Sequence, residues 1–428
     1  MRKALLIGYY WPPLGGVGAV RLVKFARFLP EFGWEPVVLT VKKGVEDIYS
    51  DTSLEKDLSK PVKTFRSCIF PTFSGMFRTG QKKNNGVSGN AGLRRKIAEF
   101  IYVPDDKIRW VAGAVHSGIR IIRQEKPEVI FTTSAPYSVH LIGMALKKIT
   151  GLPWVADFRD PWTQNPFFAP SSRLRRYIEE KMEAGVMRNA DRILAVTEPN
   201  LQGFMKKYPA LPENKFATIT NGFDPDDFSQ CGSTKNKRFT VVFSGSLYKD
   251  VSAGTFYPVL RRIMNEHREM AGKIRIILVG YVSPEEKDKI RNAGMSHLIE
   301  IMGWVDHSRS IEFIKNADVN LLVLPGREKG GSGIFTGKIF EYLGAGRPVL
   351  ALVPPGIAAD LINSAGAGVV ADPDNPEEIQ KAFLKLFQQY SSDSLKVTVA
   401  PEILKKFERR NLAGQLAEIF NEASNTVH

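Results

Sequence analysis

The sequence contains few of the features that mark secreted, membrane-spanning or metal-binding proteins. Its 428 residues include only two cysteines, Cys68 and Cys231, which lie far apart and without metal-ligand spacing. The apolar run at residues 4–7 is too short for a signal peptide or a spanning helix, and no apolar run of about 18 residues occurs later. We therefore expect buried or incidental thiols, no metal site and a cytoplasmic protein.

Motifs of nucleic-acid-binding proteins are lacking as well, because the sequence has no RNP-like aromatic motif, helix-turn-helix signature or zinc finger. The net charge is +14, and residues 1–200 hold 31 Lys and Arg against 19 Asp and Glu, whereas residues 201–428 hold 28 against 26. A basic first half can attract anionic lipid headgroups or a phosphorylated substrate. We expect no nucleic-acid partner; a solvated surface that needs no partner is the alternative.

The length suits two domains, each with its own core. Strands alternate with helices along the whole chain, a pattern typical of parallel sheets with right-handed crossovers. The sequence therefore predicts an α/β protein with two Rossmann-like domains that face one another across a cleft.

A glycine-rich loop, which includes Gly331 and Gly333, precedes a short helix predicted at residues 337–343 and a strand at 349–353. Such a loop presents free backbone N–H groups and the positive end of the helix dipole, which together suit a phosphate. In the helix, Ile339, Tyr342 and Leu343 have the spacing of a core-facing stripe. Lys338 and Glu341 share one face, so that Lys338 can meet a phosphate while Glu341 accepts hydrogen bonds from vicinal hydroxyls. This pairing predicts a nucleotide site; the alternative is an ordinary solvated ion pair.

The stretch TGKIFEYLGAGRPVL resembles the donor-site signature of the retaining glycosyltransferases of family 4, which have the GT-B fold. The resemblance implies that Lys338 contacts the diphosphate and Glu341 the ribose of a nucleotide sugar. It also places Gly331, Ile334, Phe335 and Thr336 in the donor-binding loop. One position departs from the family: Gly333 stands where relatives carry a Glu that contacts the donor sugar, and Glu328 lies nearby.

Other donor contacts are implied by the same resemblance. The segment FSGSLYKD supplies Gly245, Ser246 and Lys249, with Ser246 where relatives usually place a phosphate-binding Arg. The segment IMGWV resembles the part of the family that recognises the nucleobase, which implies base contacts from Gly303, Trp304 and Val305. Core packing is the alternative for Trp304.

In the first half, a strand runs into the glycine loop YYWPPLGGVGAVR, which opens a helix. Arg21 stands where a dinucleotide fingerprint has its third glycine, and the next strand ends without a ribose-binding acid, so a nicotinamide or flavin site is not expected. In family 4 a similar loop borders the catalytic cleft, which assigns Gly15, Gly16 and Gly18 to that cleft. A tight packing turn is the alternative.

The segment WVADFRDPWT resembles a subgroup of family 4 that makes bacterial surface and capsular polysaccharides. A strand at residues 154–156 would place Asp157, Arg159 and Asp160 at its carboxyl end, where ligands bind in open α/β sheets. We predict these three as the catalytic residues, with Asp157 or Asp160 as acid, base or acceptor-orienting group. A structural Asp157–Arg159 ion pair is the alternative.

The predicted domains are residues 1–222, which would bind the acceptor, with a final helix at 408–428 that packs back, and residues 223–407, which would bind the nucleotide sugar. A single last helix is predicted at residues 401–423. An anionic membrane is an expected partner, on the inner face of the plasma membrane, because apolar residues lie near a basic cluster. The residues concerned are Phe70, Phe73, Met76, Phe77, Arg94, Arg95 and Lys96. The alternative is that these apolar residues form buried helix faces and that the charged residues are ordinary solvated ones, which explains the same residues equally well.

Together these features predict a retaining glycosyltransferase that moves a sugar from a UDP- or GDP-linked donor to a lipid-linked or oligosaccharide acceptor, without a cofactor or metal. The D-x-D spacings at Asp224 and Asp372 are interpreted as loop turns. Two alternatives stay open: a sugar-nucleotide 2-epimerase of related fold, and a non-catalytic relative that binds nucleotide or membrane. The second alternative is motivated by Gly333 and Ser246, which replace residues that the family uses to contact the donor.

Overall fold

The structure, a computed structural model, describes residues 1–42, 51–58, 60–69, 102–165, 168, 170–229, 231–232, 236–248 and 251–425. It divides into two compact units. The first contains Met1–Thr220 and Ala413–His428, and the second contains Asn221–Leu412. Some predicted residues lie outside the described ranges: Lys249, Phe70, Phe73, Met76, Phe77, Arg94, Arg95 and Lys96.

The first unit is built on a parallel sheet. Its strands are β1 (Arg2–Ile7), β2 (Trp34–Val41), β3 (Lys63–Ser67), β4 (Val129–Ser134), β5 (Trp154–Phe158), β6 (Arg192–Ala195) and β7 (Phe216–Thr218). Their order is β3-β2-β1-β4-β5-β6-β7, and every neighbouring pair is parallel. The helices are α1 (Val17–Phe28), α2 (Ser53–Lys56), α3 (Val111–Glu125), α4 (Ser138–Thr150), α5 (Arg173–Asn189) and α6 (Glu198–Lys207).

The second unit has a parallel sheet of six strands. They are β8 (Phe239–Ser244), β9 (Ile274–Val279), β10 (Ile299–Gly303), β11 (Val319–Val323), β12 (Val349–Leu352) and β13 (Gly368–Ala371), in the order β10-β9-β8-β11-β12-β13. The helices are α7 (Pro225–Ser229), α8 (Phe256–Glu266), α9 (Pro284–Asn292), α10 (His307–Asn316), α11 (Gly337–Ala345), α12 (Ile357–Ser364), α13 (Pro376–Ser391), α14 (Pro401–Lys406) and α15 (Arg409–Asn425), whose residues from Ala413 onward belong to the first unit.

The central strands are apolar because both faces of each sheet are covered. Leu5, Leu6 and Ile7 of β1 are fully buried, and all six residues of β8 are buried. Near-continuous burial is typical of parallel sheets with helices on both faces, whereas a half-exposed sheet would alternate apolar and polar residues. The predicted fold class, two Rossmann-like parallel-sheet domains, is thereby confirmed.

Two sequence predictions about elements were wrong. Strand β5 continues to Phe158, so that Asp157 lies within the strand and not after it. The last helix, predicted as one element from residue 401, is two, because the backbone of Phe223 bonds to the chain between them: its N–H donates to Phe407 O at 3.0 Å and its carbonyl accepts from Arg409 N at 2.8 Å. No helix within the described ranges combines the length and apolar character that crossing a bilayer requires.

Candidate active site

The loop that was predicted to bind the donor lies at the carboxyl edge of the second unit's sheet. Because all six strands are parallel, their carboxyl ends meet at one edge, and the loop begins where β11 ends. The loop is ordered by two short 3-10 turns, Arg327–Lys329 and Gly331–Gly333, before Thr336 leads into α11. No capping side chain accepts a hydrogen bond from the first backbone N–H groups of α11.

The two predicted loop glycines differ in what the structure requires of them. A Cβ placed on Gly331 would lie 1.8 Å from the carbonyl oxygen of Pro325, so only glycine fits there. A Cβ on Gly333 would meet nothing within 4 Å. The departure from the family's Glu at position 333 therefore has no steric cause in the local backbone. Ile334, Phe335 and Thr336, which complete the loop, are half-buried.

Lys338 and Glu341 form the predicted pair on α11. Lys338 Nζ lies 2.9 Å from Glu341 Oε2, and their side chains are 20% and 12% exposed, which excludes a freely solvated pair. Burial raises the pKa of Glu341, but the charges of Lys338, His307 and Arg409 outweigh it and hold the pKa below the usual value. Glu341 is therefore an ionised acceptor in a basic surrounding, to which His307 and Arg409 contribute without belonging to the recognised motif.

The opposite face of α11 fixes the helix to the sheet. Ile339, Tyr342 and Leu343 are buried as the helical spacing predicted. The Tyr342 hydroxyl accepts from Ser244 N at 3.0 Å and donates to Leu321 O at 3.2 Å, which joins α11 to β8 and β11. A helix anchored to two central strands gives the Lys338–Glu341 face a defined position at the sheet edge.

The remaining predicted donor residues come from strands β8 and β10, at the same sheet edge. Gly245 follows β8 and donates its N–H to Val279 O at 2.9 Å, and Ser246 beside it is exposed. Gly303 ends β10, followed by Trp304 and the half-buried Val305. Trp304 is 41% exposed, so the alternative of simple core packing is wrong for this residue.

In the first unit, Asp157 is paired with Arg21 and not with Arg159. Arg21 donates to both carboxylate oxygens of Asp157, at 2.8 and 2.9 Å, and Thr133 Oγ1 donates to the same carboxylate at 2.7 Å. Arg21 and Asp157 have no exposed side-chain surface. The alternative Asp157–Arg159 ion pair is therefore wrong, and the arginine that departs from the dinucleotide fingerprint is the partner. The pair joins α1 to β5.

Arg159 connects the glycine loop to the end of β4. Its Nη2 donates to Ala135 O at 2.9 Å and its Nε to Ser134 O. A Cβ on Gly18 would lie 2.7 Å from Arg159 Nη1, so glycine at this position makes room for the guanidinium. Gly16 precedes α1 with φ 99°, whereas Gly15 is buried beside it. The two separately predicted motifs of the first unit therefore meet at Arg159.

Asp160 differs from Asp157 because it is exposed. Two residues that follow Pro161 are held by α5: Trp162 Nε1 donates to Glu179 at 3.0 Å, and Thr163 Oγ1 donates to Glu183 at 2.7 Å. The structure thus holds most of the DFRDPWT motif in buried contacts and leaves the Asp160 carboxylate as its solvent-accessible acid.

The D-x-D sequence at Asp372 lies in a turn, as interpreted from the sequence, whereas the one at Asp224 leads directly into helix α7, so the interpretation as a turn was wrong there. Asp224 accepts from Asp226 N at 3.1 Å, and Asp372 accepts from Asp374 N at 2.9 Å. Within the described ranges, no group of three or more His, Cys, Asp or Glu residues has metal-binding geometry.

Protein-family models match both units. Residues 15–227 match the model described as Glycosyltransferase Family 4, and residues 238–389 match the one described as Glycosyl transferases group 1. The chain consists of glycosyltransferase domains with the GT-B fold. No curated protein sequence matches it.

Solved structures with the same fold are distant in sequence. HepE of Anabaena in complex with UDP-glucose has 15% identity and a TM-score of 0.66, over 99% of this chain and 100% of that one. Sucrose-phosphate synthase from Thermosynechococcus elongatus has 12% identity and a TM-score of 0.65, over 99% of each chain. UDP-GlcNAc 2-epimerase from Methanocaldococcus jannaschii has 13% identity and a TM-score of 0.55, over 99% of this chain and 100% of that one.

Proposed function

We propose that the protein is a retaining glycosyltransferase that uses a UDP- or GDP-linked sugar to extend a lipid-linked or oligosaccharide acceptor in bacterial surface polysaccharide assembly. The observation that carries this proposal is the Lys338–Glu341 pair at the start of α11, beside a glycine loop at the carboxyl edge of the second sheet. A bound UDP-glucose in the similar HepE structure supports a nucleotide-sugar donor.

The donor's diphosphate would take Lys338 as its counter-charge. Lys338 is bonded to Glu341, so donor binding would turn the ammonium toward the phosphate and leave Glu341 to accept from the ribose hydroxyls. Lys338 and the uncapped N–H groups of α11 would oppose the charge that develops on the departing diphosphate. The loop from Gly331 to Thr336, with Gly245, Ser246, Gly303, Trp304 and Val305, would complete the donor site.

In the first unit the proposal gives different roles to the two carboxylates. Asp157 is fully enclosed by Arg21 and Thr133, so its role is to position β5 and α1. Asp160 carries the exposed carboxylate and would orient the acceptor hydroxyl, while Arg159 holds the backbone of Ser134 and Ala135.

The test is calorimetric titration of UDP, GDP, dTDP and ADP, with and without magnesium. We expect one nucleotide to bind selectively and without a magnesium requirement. Lys338→Ala and Glu341→Ala should each weaken binding by about 1–3 kcal/mol, as expected for the loss of charged hydrogen bonds.

A matched control is the exposed ion pair Arg309–Glu312 on α10, which has the same spacing in the same unit. Arg309→Ala and Glu312→Ala should leave nucleotide affinity unchanged. Wild-type affinity in the Lys338 and Glu341 variants would refute the donor site.

A sugar-nucleotide 2-epimerase is the second candidate, because the UDP-GlcNAc 2-epimerase from M. jannaschii has a similar fold. An epimerase converts the UDP-sugar without an acceptor, whereas a transferase needs one. Incubation with UDP-sugar alone separates them: a new epimer would reject the transferase, and unchanged UDP-sugar would reject the epimerase.

A further inference from the structure

A cavity of about 440 Å³ lies within the first unit, next to the DFRDPWT segment. Its volume falls within the range of about 300–1,000 Å³ that small-molecule sites occupy. Three aromatic rings line it, those of Tyr10, Tyr137 and Phe168, together with the carboxylates of Asp105 and Asp106.

The cavity wall is tied directly to the proposed catalytic segment. The ring of Tyr137 stacks on Trp162 at 5.0 Å with an interplanar angle of 5°, and its hydroxyl donates to Pro161 O at 3.0 Å. Ala135, another wall residue, accepts from Arg159. Burial, and after it the negative charge of Asp160, raise the pKa of Tyr137.

The charges that line the cavity do not suit a phosphate. Its two cations are already paired: Lys107 Nζ lies 3.1 Å from Asp106, and Arg175 Nε lies 2.8 Å from Glu179. Arg175 also donates to Pro104 O at 3.2 Å. With three carboxylates against these two cations, the lining has an excess of negative charge that would repel an anion.

Aromatic rings beside carboxylates instead suit a neutral polyol. The apolar C–H face of a sugar ring can pack on an aromatic ring, and its hydroxyls can donate to carboxylate oxygens. We propose that this cavity binds the terminal sugar units of the acceptor as a neutral saccharide. This inference rests on the proposed transferase function and adds where, and through which chemistry, the acceptor is held.

Saturation-transfer NMR with a mixture of methyl glycosides tests the proposal, because it detects weak binding and shows which sugar protons touch the protein. The mixture contains the methyl glycosides of glucose, galactose, mannose, rhamnose and N-acetylglucosamine. We expect transfer to the ring protons of at least one glycoside. Phe168→Ala and Asp106→Asn should each reduce that transfer at least threefold, whereas inorganic pyrophosphate should not compete.

The control variant is Glu213→Gln, an exposed acid elsewhere in the first unit, which should leave the transfer unchanged. Both cavity variants should keep the wild-type melting temperature and wild-type nucleotide affinity. No transfer to any glycoside, equal transfer in the cavity variants, or competition by pyrophosphate would each overturn the proposal. Failure of the donor site would instead appear as lost nucleotide binding in the unmodified protein, so the two failures are distinguishable.

Discussion

Asp157 shows how a residue singled out for chemistry can have a structural role. A carboxylate after a parallel strand is a reasonable catalytic candidate, but here it lies inside the strand and forms a buried ion pair with Arg21. A buried pair gains little net stability over apolar packing, yet removing one partner leaves a charge in the interior without compensation.

We predict that Asp157→Asn lowers the free energy of unfolding of the first unit by about 3–5 kcal/mol, because the Arg21 guanidinium loses its counter-charge. Asp160→Asn is the matched control: its side chain is exposed, so we expect a change within about 0.5 kcal/mol. Denaturant unfolding followed by tryptophan fluorescence measures both. Equal stability of Asp157→Asn and the wild type would show that the pair is not needed for folding.

The sequence singled out the glycine loop and the DFRDPWT segment but not how their residues pair. The resemblance assigned Gly18 to the catalytic cleft, Asp157 was predicted as catalytic, and Arg21 was noted only as a departure from a dinucleotide fingerprint. Arg21 and Asp157 are 136 positions apart, however, and charged residues are seldom fully buried, so nothing local indicated an interior pair. The Lys338–Glu341 pair was predictable because an i,i+3 contact on one helix depends only on local geometry.

At the scale of elements too, features that depend on local sequence were predicted, whereas features that depend on long-range contacts were not. Periodicity predicted α11 and its buried face, because α11 is a regular amphipathic helix. Periodicity did not predict the break between α14 and α15, because this break arises from backbone hydrogen bonds between residues 407–409 and Phe223. Long-range backbone pairing leaves no periodic signal in the helix that it interrupts.

Helix α5 carries an exposed surface suited to an anionic membrane. Leu174 and Tyr177 are each 56% exposed, and the exposed basic residues Arg173, Arg176 and Lys181 lie beside them. Apolar side chains that can enter the headgroup region, flanked by cations, are typical of interfacial helices. This surface is a second candidate contact for the expected membrane partner, and it lies within the described ranges.

We predict that replacing Arg173, Arg176 and Lys181 together by Ser weakens binding to phosphatidylglycerol-containing vesicles by about 1 kcal/mol per basic residue. Replacement of Arg120, Arg123 and Lys206 by Ser removes the same charge from exposed positions of α3 and α6 and should weaken binding less. Vesicle co-sedimentation measures both. Equal losses would indicate that net charge alone attracts the protein, and unchanged binding of the α5 variant would reject this surface.

At the scale of the whole molecule, the two units have separate cores and very different tryptophan contents. Trp11, Trp34, Trp110, Trp154 and Trp162 are all buried in the first unit, each at most 3% exposed. The second unit has Trp304 alone, 41% exposed at the end of β10. Tryptophan emission therefore reports separately on the packing of one unit and on the proposed base contact of the other.

We predict that a bound nucleotide changes the long-wavelength part of the emission, which comes from the exposed Trp304, and leaves the emission of the buried tryptophans unchanged. In Trp304→Phe this response should disappear, while calorimetry still detects the nucleotide, because the neighbouring backbone and Lys338 remain. Denaturant unfolding of the first unit, read from the five buried tryptophans, should match the wild type. A fluorescence response that persists in Trp304→Phe would mean that the nucleotide acts on the first unit, and would reject β10 as the position of the base.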